Sequence, residues 1–177
     1  MGLIANWKAA RERRRLADAF LRRLLVPSEP HVVAWLASQC NDEAVAVREL
    51  TFARRAVGLT AAGRDALDDR TASDVARAMA PHLETEARQS SRGADEWTAR
   101  WQAYRSALAA RGVTDTPTVR FARILLAGAG VDAPTPDTLA QAVDVMQAFR
   151  GQANDALRAS FGAASLPDDI RPSALRA

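Results

Sequence analysis

Residues 42–68 read DEAVAVRELTFARRAVGLTAAGRDALD, and this stretch decides the fold. Apolar side chains recur along it at helical spacing on two sides: Val47, Leu50 and Val57 share one side, and Phe52 and Leu59 lie on another. A helix that is apolar almost all round is normally buried almost all round. The stretch therefore predicts a long central helix, about 42–68, on which the rest of the chain packs.

Two glycines interrupt this predicted helix, at positions 58 and 63. A glycine inside a helix costs about 1 kcal/mol relative to alanine. We therefore expect a neighbouring helix to approach closely at Gly58 and Gly63.

Six more helices are predicted on either side of the central one, from apolar periodicity and from residues that begin and end helices. Five of them cover about 2–25, 29–39, 95–111, 117–127 and 136–161, and the sixth begins at Thr71 and ends before a loop at 88–94. Pro81 is expected to kink that sixth helix or to end a turn in it. The fold class predicted is all-α, an irregular bundle of about seven helices with short connections.

The N-terminal ends of these helices are predicted from capping residues. Threonine followed by proline, as in Thr116-Pro117 and Thr135-Pro136, combines a capping side chain with a residue suited to the first helical turn. Three further caps are predicted at Ser28, Asn41 and Thr71.

The composition supports a helical protein and excludes several other classes. The chain of 177 residues contains 39 alanines, 23 arginines and one lysine, and alanine, arginine and leucine are strong helix formers. Cys40 is the only cysteine, so an intrachain disulfide is impossible and a reducing compartment is expected. No apolar run approaches the roughly eighteen residues of a membrane span, and the charged N-terminus is unlike an export signal. We expect a soluble, cytoplasmic protein.

The N-terminal residues are the most basic part of the chain. Residues 1–25 contain seven basic and two acidic side chains, a net charge of +5, whereas the chain as a whole carries +3, so the other residues sum to −2. We expect a basic arm over 1–15 that continues into the first helix, a single helical domain over 16–162 and an irregular tail over 163–177. The residues predicted to bind a partner are those of this arm that are apolar or basic: Leu3, Ile4, Trp7, Lys8, Arg11, Arg14 and Arg15.

An aspartate-rich segment offers an enzymatic alternative. Asp65 and Asp69 are spaced to share a helix face, Asp68 lies three residues after Asp65, and carboxylates in this arrangement can hold Mg²⁺. All-α prenyl-transferring enzymes use aspartate-rich motifs in this way, but they are much larger and need a second acidic motif, which this sequence lacks. The favoured interpretation is therefore local charge pairing at a helix end.

Residues 121–143 have the helix, glycine turn and helix spacing of a DNA-binding helix-turn-helix motif. The second helix should then carry basic residues, because phosphate neutralisation dominates affinity for DNA. Residues 134–149 contain Asp137 and Asp144 but no lysine or arginine. An ordinary helical hairpin is therefore favoured.

An aromatic stripe lies on the fifth predicted helix, where Trp97, Trp101, Tyr104 and Leu108 are spaced by four, three and four residues. Such a stripe is a core face or an interface anchor, and the core is favoured because the chain has few aromatic residues.

The sequence predicts a non-catalytic interaction or assembly subunit that docks on a protein partner through its N-terminal helix. The first alternative is a nucleic-acid-binding protein that uses the same arginines, and the second is an Mg²⁺-dependent enzyme with its site at 65–69. Peripheral contact with an anionic membrane is a further possibility for a basic amphipathic helix. No cofactor is expected, because the chain has no glycine-rich phosphate loop and no set of zinc ligands.

Overall fold

The computed structural model describes residues 2–65, 69–89, 93–110 and 114–162, and it describes their side chains except those of 2–6, 64, 65, 69–72, 83, 86–89, 93 and 94. These residues form an all-α bundle, as predicted, and contain no strand. The helices are α1 (Gly2–Leu24), α2 (Pro30–Cys40), α3 (Glu43–Asp65), α4 (Asp69–Gln89), α5 (Gly93–Ala109), α6 (Pro117–Gly128) and α7 (Pro136–Phe161). Within the described ranges, no helix has both the length and the apolar character that crossing a bilayer requires.

Helix α3 is the central element, as its two apolar faces predicted. It contacts each of the other six helices, and Leu50 and Val57 are buried in the core. The expectation of burial is wrong for Val47, which is exposed, and Phe52 and Leu59 on the other side are only half-buried. The predicted helix extended to residue 68, and positions 66–68 lie outside the described residues. From α2 onwards each helix contacts the next one along the chain, whereas the main contacts of α1 are with α4 and α7.

The buried apolar side chains form two clusters that share α3 and α7. The first cluster joins α2, α5 and α6 to these two helices, and the second joins α1 and α4 to them. On α3 the change from the first cluster to the second falls between Val57 and Ala61, and on α7 it falls between Phe149 and Ala153.

The two threonine caps are confirmed. The hydroxyl oxygen of Thr116 accepts from the Val119 N–H at 3.4 Å, and that of Thr135 accepts from the Thr138 N–H at 3.1 Å. Both threonines are followed by a proline in the first turn.

The other three predicted caps are wrong. Asn41 ends α2 in the left-handed conformation with φ of 55°, and Asp42 instead accepts from the Val45 N–H at 3.1 Å to cap α3. Glu29 rather than Ser28 precedes α2, and it makes no capping hydrogen bond. Helix α4 begins at Asp69, so Thr71 lies inside its first turn.

Helix α4 is longer than predicted by about two residues at each end, since it runs from Asp69 through Pro81 to Gln89. Proline inside a helix removes one backbone hydrogen bond and costs about 3 kcal/mol. Val75 and Met79, six and two residues before Pro81, are fully buried in the second cluster, and this packing outweighs the local cost. The predicted loop at 88–94 is correspondingly shorter, because α4 ends at Gln89 and α5 begins at Gly93. Residues 90–92 between these helices lie outside the described residues.

Only one of the two glycines of α3 marks a close approach. A Cβ atom at Gly58 would collide with the side chain of Leu24, so this glycine lets α1 pack directly against α3. Gly63 is exposed, and no described atom lies within 4 Å of where its Cβ would be. The expectation of close packing is confirmed at Gly58 and is wrong at Gly63.

Candidate partner-docking surface

The second half of α1 anchors the helix to the body. Ala17, Phe20, Leu21 and Leu24 are buried, and the Phe20 ring packs 6.4 Å, centroid to centroid, from that of Phe161 at the end of α7. The guanidinium of Arg13 pairs with Asp74 of α4 at 3.2 Å. The helix is therefore fixed to the bundle from about residue 13 onwards.

The first half of α1 stands clear of the body. Every described side chain from Trp7 to Glu12 is exposed. Ala10 is among these exposed residues. It lies seven residues before Ala17 and eleven before Leu21, so it is on the side of the helix that is buried further along. None of the described residues thus covers the inward side of α1 near Ala10.

Trp7 is the most exposed large apolar side chain among the described residues, with 61% of its surface accessible. The guanidinium carbon of Arg11 lies 5.6 Å from the centre of the Trp7 ring, which is a cation–π distance. The two side chains form a combined apolar and cationic tip on the exposed half of α1.

Charge on this half of α1 is only partly neutralised. Arg15 pairs with Glu12 at 2.7 Å, and Arg13 is used by Asp74. Lys8, Arg11 and Arg14 have no ion-pair partner among the described residues. Trp7 lies exposed among charged side chains of α1: Lys8, Arg11, Glu12, Arg14, Arg15 and Asp18.

The structure thus brings five of the seven predicted partner-binding residues together on one exposed helical segment. We call Trp7, Lys8, Arg11, Arg14 and Arg15 the basic arm surface. Leu3 and Ile4 belong to the same helix by their backbone, but their side chains lie outside the described part.

The predicted aspartate site also falls at the limit of the described chain. Asp65 is the last residue of α3 and Asp69 the first of α4, but their side chains, and the whole of Asp68, lie outside the described residues. Within the part that is described, no three side chains of histidine, cysteine, aspartate or glutamate are grouped so that they could hold a metal ion.

The segment with helix-turn-helix spacing forms two helices that pack against each other. Phe121 and Leu125 of α6 and Met146 of α7 are buried in the first cluster, which is what an ordinary helical hairpin requires.

The aromatic side chains of α5 lie partly in the core and partly at the edge of the bundle. Tyr104 is buried and meets Phe121 edge-to-face at 5.1 Å. Trp97 and Trp101 are half-buried and stacked at 6.1 Å, and Phe52 of α3 packs on Trp97 at 5.5 Å. The preference for a core role is confirmed for Tyr104, whereas the two tryptophans lie at the margin of the bundle.

A buried ion-pair cluster is the feature that the sequence analysis missed. Glu49 of α3 is fully buried, and its carboxylate lies 3.0 Å from Nε of Arg100 on α5. Arg48 extends the cluster, at 3.5 Å from Glu49 and 3.3 Å from Glu96. One signal was present in the sequence: Glu49 is three residues after Ala46 and four before Ala53, so an acidic side chain lies on an apolar stripe.

The cluster joins three helices at one point. Arg100 also donates to the carbonyl oxygen of Gly128 at 3.2 Å, at the C-terminal end of α6. A Cβ atom at Gly128 would collide with the Glu49 carboxylate, so a larger residue there would have to displace the buried carboxylate. Because the buried Glu49 carboxylate is paired with Arg100, which also reaches α6, we interpret the cluster as a structural tie between α3, α5 and α6.

A cleft of about 230 Å³ lies between α2, α3 and α7. Arg54 spans it: its guanidinium donates to the Pro27 carbonyl oxygen at 3.2 Å and lies 5.6 Å from the Phe149 ring. Burial lowers the pKa of Arg54, and the charge of Glu29 partly opposes this effect. Arg54 thus attaches the segment between α1 and α2 to the bundle.

Comparison with family models, curated proteins and solved structures found no match for this chain. Its function therefore has to be argued from its own residues.

Proposed function

We propose that this chain is a non-catalytic interaction or assembly subunit that docks on an acidic protein partner through the basic arm surface. The observation that supports this proposal is the exposure of Trp7 beside Lys8, Arg11 and Arg14, which have no ion-pair partners among the described residues, on a helical segment clear of the bundle.

The residue types match those that dominate the energetics of protein interfaces. Tryptophan and arginine are enriched among the residues whose truncation costs most binding energy. Covering the exposed indole of Trp7 would contribute on the order of 2 kcal/mol. Pairing Arg11 and Arg14 with partner carboxylates would add specificity through paired N–H donors.

A protein surface fits the charge pattern better than a nucleic acid does. Trp7, Arg11 and Arg14 follow each other at helical spacing, and Asp18 continues the same side of the helix. Asp18 and Glu12 would repel a phosphate backbone, whereas a protein partner can present both signs of charge. The alternative of nucleic-acid binding predicts affinity that falls steeply with salt concentration.

A membrane surface fits less well for a different reason. An interfacial helix needs a continuous apolar face in addition to its basic residues. Between positions 7 and 15 the only large apolar side chain is that of Trp7. With a reducing compartment expected from the single Cys40, we place the interaction in the cytoplasm as part of the same proposal.

The test replaces Trp7 with the photoreactive residue p-benzoylphenylalanine in the full chain and irradiates cells of the native host. We expect a crosslink to a protein with an acidic surface, and we expect R11E/R14E in the same background to abolish it. The captured protein is then purified and titrated with the wild-type chain. R11E/R14E should weaken that affinity by at least about tenfold, because two charge-assisted contacts are lost.

Two matched controls accompany the test. The variant R105E/R150E makes the same change of charge at exposed arginines of α5 and α7, and it should leave the crosslink intact. A photoreactive residue in place of Val47, which is also exposed, should not label the same protein. Crosslinking only to nucleic acid or lipid, or a protein crosslink that survives R11E/R14E, would contradict the proposal.

A further inference from the structure

The cleft between α2, α3 and α7 is lined mostly by apolar side chains. Val32 of α2 and Val145, Ala148 and Phe149 of α7 contribute them. Since one water occupies about 10–15 Å³ of such a space, a cleft of about 230 Å³ has room for a large aromatic side chain. Apolar pockets of this kind receive the aromatic anchor residues of protein interfaces.

The rim of this cleft is negatively charged, and we call the whole the acidic cleft. Glu29 and Asp144 line it, both are exposed, and Asp144 has no ion-pair partner among the described residues. Glu29 lies 3.4 Å from Nδ1 of His31, which is a salt bridge only when the histidine is protonated. With His31 neutral, Arg54 is the only cation among the described residues that line the cleft, so two carboxylates face one guanidinium. The opening therefore has an excess of negative charge.

Charge distinguishes the acidic cleft from the cleft beside it. The second cleft has a volume of about 190 Å³, and the charged residues that line it are Arg54 and Arg55. Around the acidic cleft, by contrast, residues 134–149 contain two aspartates and no lysine or arginine. A cationic group from outside is therefore attracted to the acidic cleft rather than to its neighbour.

The end of the basic arm surface has the complementary properties. Trp7 is a large apolar side chain that no described residue covers, and the guanidinium of Arg11 lies 5.6 Å from its ring. Arg14 follows Arg11 at helical spacing and is exposed as well. An aromatic ring with cations beside it fits an apolar cleft with carboxylates at its rim.

The two complementary sites lie at opposite ends of α1. Trp7 precedes Leu24 by 17 residues, which is about 25 Å along a helix. Arg54, which lines the acidic cleft, donates to the carbonyl oxygen of Pro27, three residues beyond Leu24. Because the second half of α1 is packed on the bundle, Trp7 cannot reach the cleft of its own chain. It is accessible to the cleft of another copy.

We propose that this chain associates with itself head to tail: the Trp7 ring of one copy enters the acidic cleft of a second copy, where Arg11 pairs with Asp144. The inference rests on the proposed function, because it names a second copy of the chain as the partner of the basic arm surface. The contact joins two different surfaces, so each copy keeps one free site and further copies can be added.

Sedimentation of the purified full chain at concentrations up to about 1 mM tests the association. We expect the wild type to form dimers and larger species as its concentration rises. R11E/R14E removes the cations of the arm, and D144R/A148R removes a carboxylate and part of the apolar wall. Each should lower the association constant by at least about tenfold. The control D155R/A159R makes the same two substitutions at the same spacing, at exposed positions of α7 outside the cleft, and should have no effect.

Mixing the two impaired variants tests the head-to-tail arrangement itself. R11E/R14E keeps an intact cleft and D144R/A148R keeps an intact arm, so the mixture contains one functional pair of sites. We expect the mixture to form a dimer and nothing larger, although each variant alone is monomeric. An interface that joins the same surface of both copies would not be restored by mixing.

A crosslink identifies the two contacting segments. The chain with p-benzoylphenylalanine in place of Trp7 is mixed with ¹⁵N-labelled wild-type chain and irradiated. We expect the photoreactive residue to be joined to ¹⁵N-labelled peptides that contain residues 144–152, and we expect D144R/A148R in the labelled chain to remove this product. All the substituted side chains are exposed, so the variants should keep the urea midpoint of the wild type.

Several results would overturn the inference: a wild-type chain that stays monomeric, association that survives D144R/A148R, an equal loss in D155R/A159R, or a mixture that stays monomeric. The proposed function can be separated from it. If the purified chain is monomeric while Trp7 in host cells is crosslinked to a different protein, only the self-association is wrong. If no protein is crosslinked in either experiment, both proposals are wrong.

Discussion

At the scale of the single residue, Tyr104 shows how the interior of the bundle constrains a titratable group. It is the only tyrosine of the chain, and its hydroxyl is buried near Glu49 and Arg100 without a hydrogen-bond partner among the described residues. Burial, and after it the negative charge of Glu49, raises the pKa of Tyr104 far above its ordinary value of about 10, although Arg100 opposes the shift. The phenol is thus held in its neutral form while the chain is folded.

This shift predicts a loss of stability in alkaline solution. Below pH of about 10 Tyr104 is protonated in both folded and unfolded chains, so its contribution does not depend on pH. Above about pH 10 the unfolded chain releases the proton and the folded chain retains it, so the free energy of unfolding should fall by up to about 1.4 kcal/mol per pH unit. Y104F should lack this part of the pH dependence and, because no hydrogen bond is lost, should be about as stable as the wild type near neutral pH.

Urea unfolding of both proteins at several alkaline pH values measures the difference, and ultraviolet absorbance of tyrosinate follows the ionisation directly. An absorbance change that precedes unfolding would show that the phenol ionises in the folded chain and would contradict the prediction.

The charged neighbours of Tyr104, Glu49 and Arg100, show which contacts the sequence could not predict. That Glu49 is buried could have been suspected from its place on an apolar stripe, but its partner Arg100 is 51 residues away. Several arginines were equally suitable partners in the sequence, and only the packing of α5 against α3 selects one. The exposure of Trp7 could be predicted, because the residues that follow it at 11–15 are all charged and cannot form part of a core.

At the scale of the helix, Gly128 and Gly151 allow the effect of a close contact to be compared with the effect of helix propensity alone. Gly128 ends α6 against the Glu49 carboxylate, whereas Gly151 lies exposed inside α7 with no described atom within 4 Å of a Cβ position. G128A should lower the free energy of unfolding by about 1–3 kcal/mol, because the new methyl group displaces a buried ion pair. G151A should raise it by about 0.5–1 kcal/mol, because alanine has the higher helix propensity.

Chemical denaturation of the two variants and the wild type provides the comparison. A neutral G128A would mean that the Glu49 carboxylate can move aside without cost. A destabilising G151A would mean that α7 is covered at this position in the folded chain.

Helix positions were largely predictable, and helix ends were less so, for physical reasons. Periodicity is a property of ten or more residues, and it located all seven helices. A cap is decided by one residue among neighbours of similar chemistry, so Asn41 was chosen where Asp42 caps. Pro81 was expected to kink α4 or to end a turn in it, but the burial of Val75 and Met79 in the second cluster is a tertiary effect that local sequence does not contain.

At the scale of the whole molecule, the architecture raises a question about cooperativity. The sequence predicted one domain over 16–162, and the structure has two apolar clusters connected through α3 and α7. Both helices are continuous across the change from one cluster to the other. Since a helix is stabilised mainly by the packing of its faces, loss of one cluster should leave half of α3 and half of α7 without support.

The two clusters should therefore unfold as one unit, and the two core methionines can show it. F20A removes a fully buried ring of the second cluster and should cost about 3–5 kcal/mol. If the clusters are coupled, the urea midpoints of the Met79 and Met146 methyl signals fall together, although Met146 belongs to the other cluster. L126A, a truncation within the first cluster, is the reciprocal variant and should likewise lower both midpoints. If F20A shifts only the Met79 signal and L126A only the Met146 signal, the chain contains two independently unfolding units, and the prediction of a single domain is wrong.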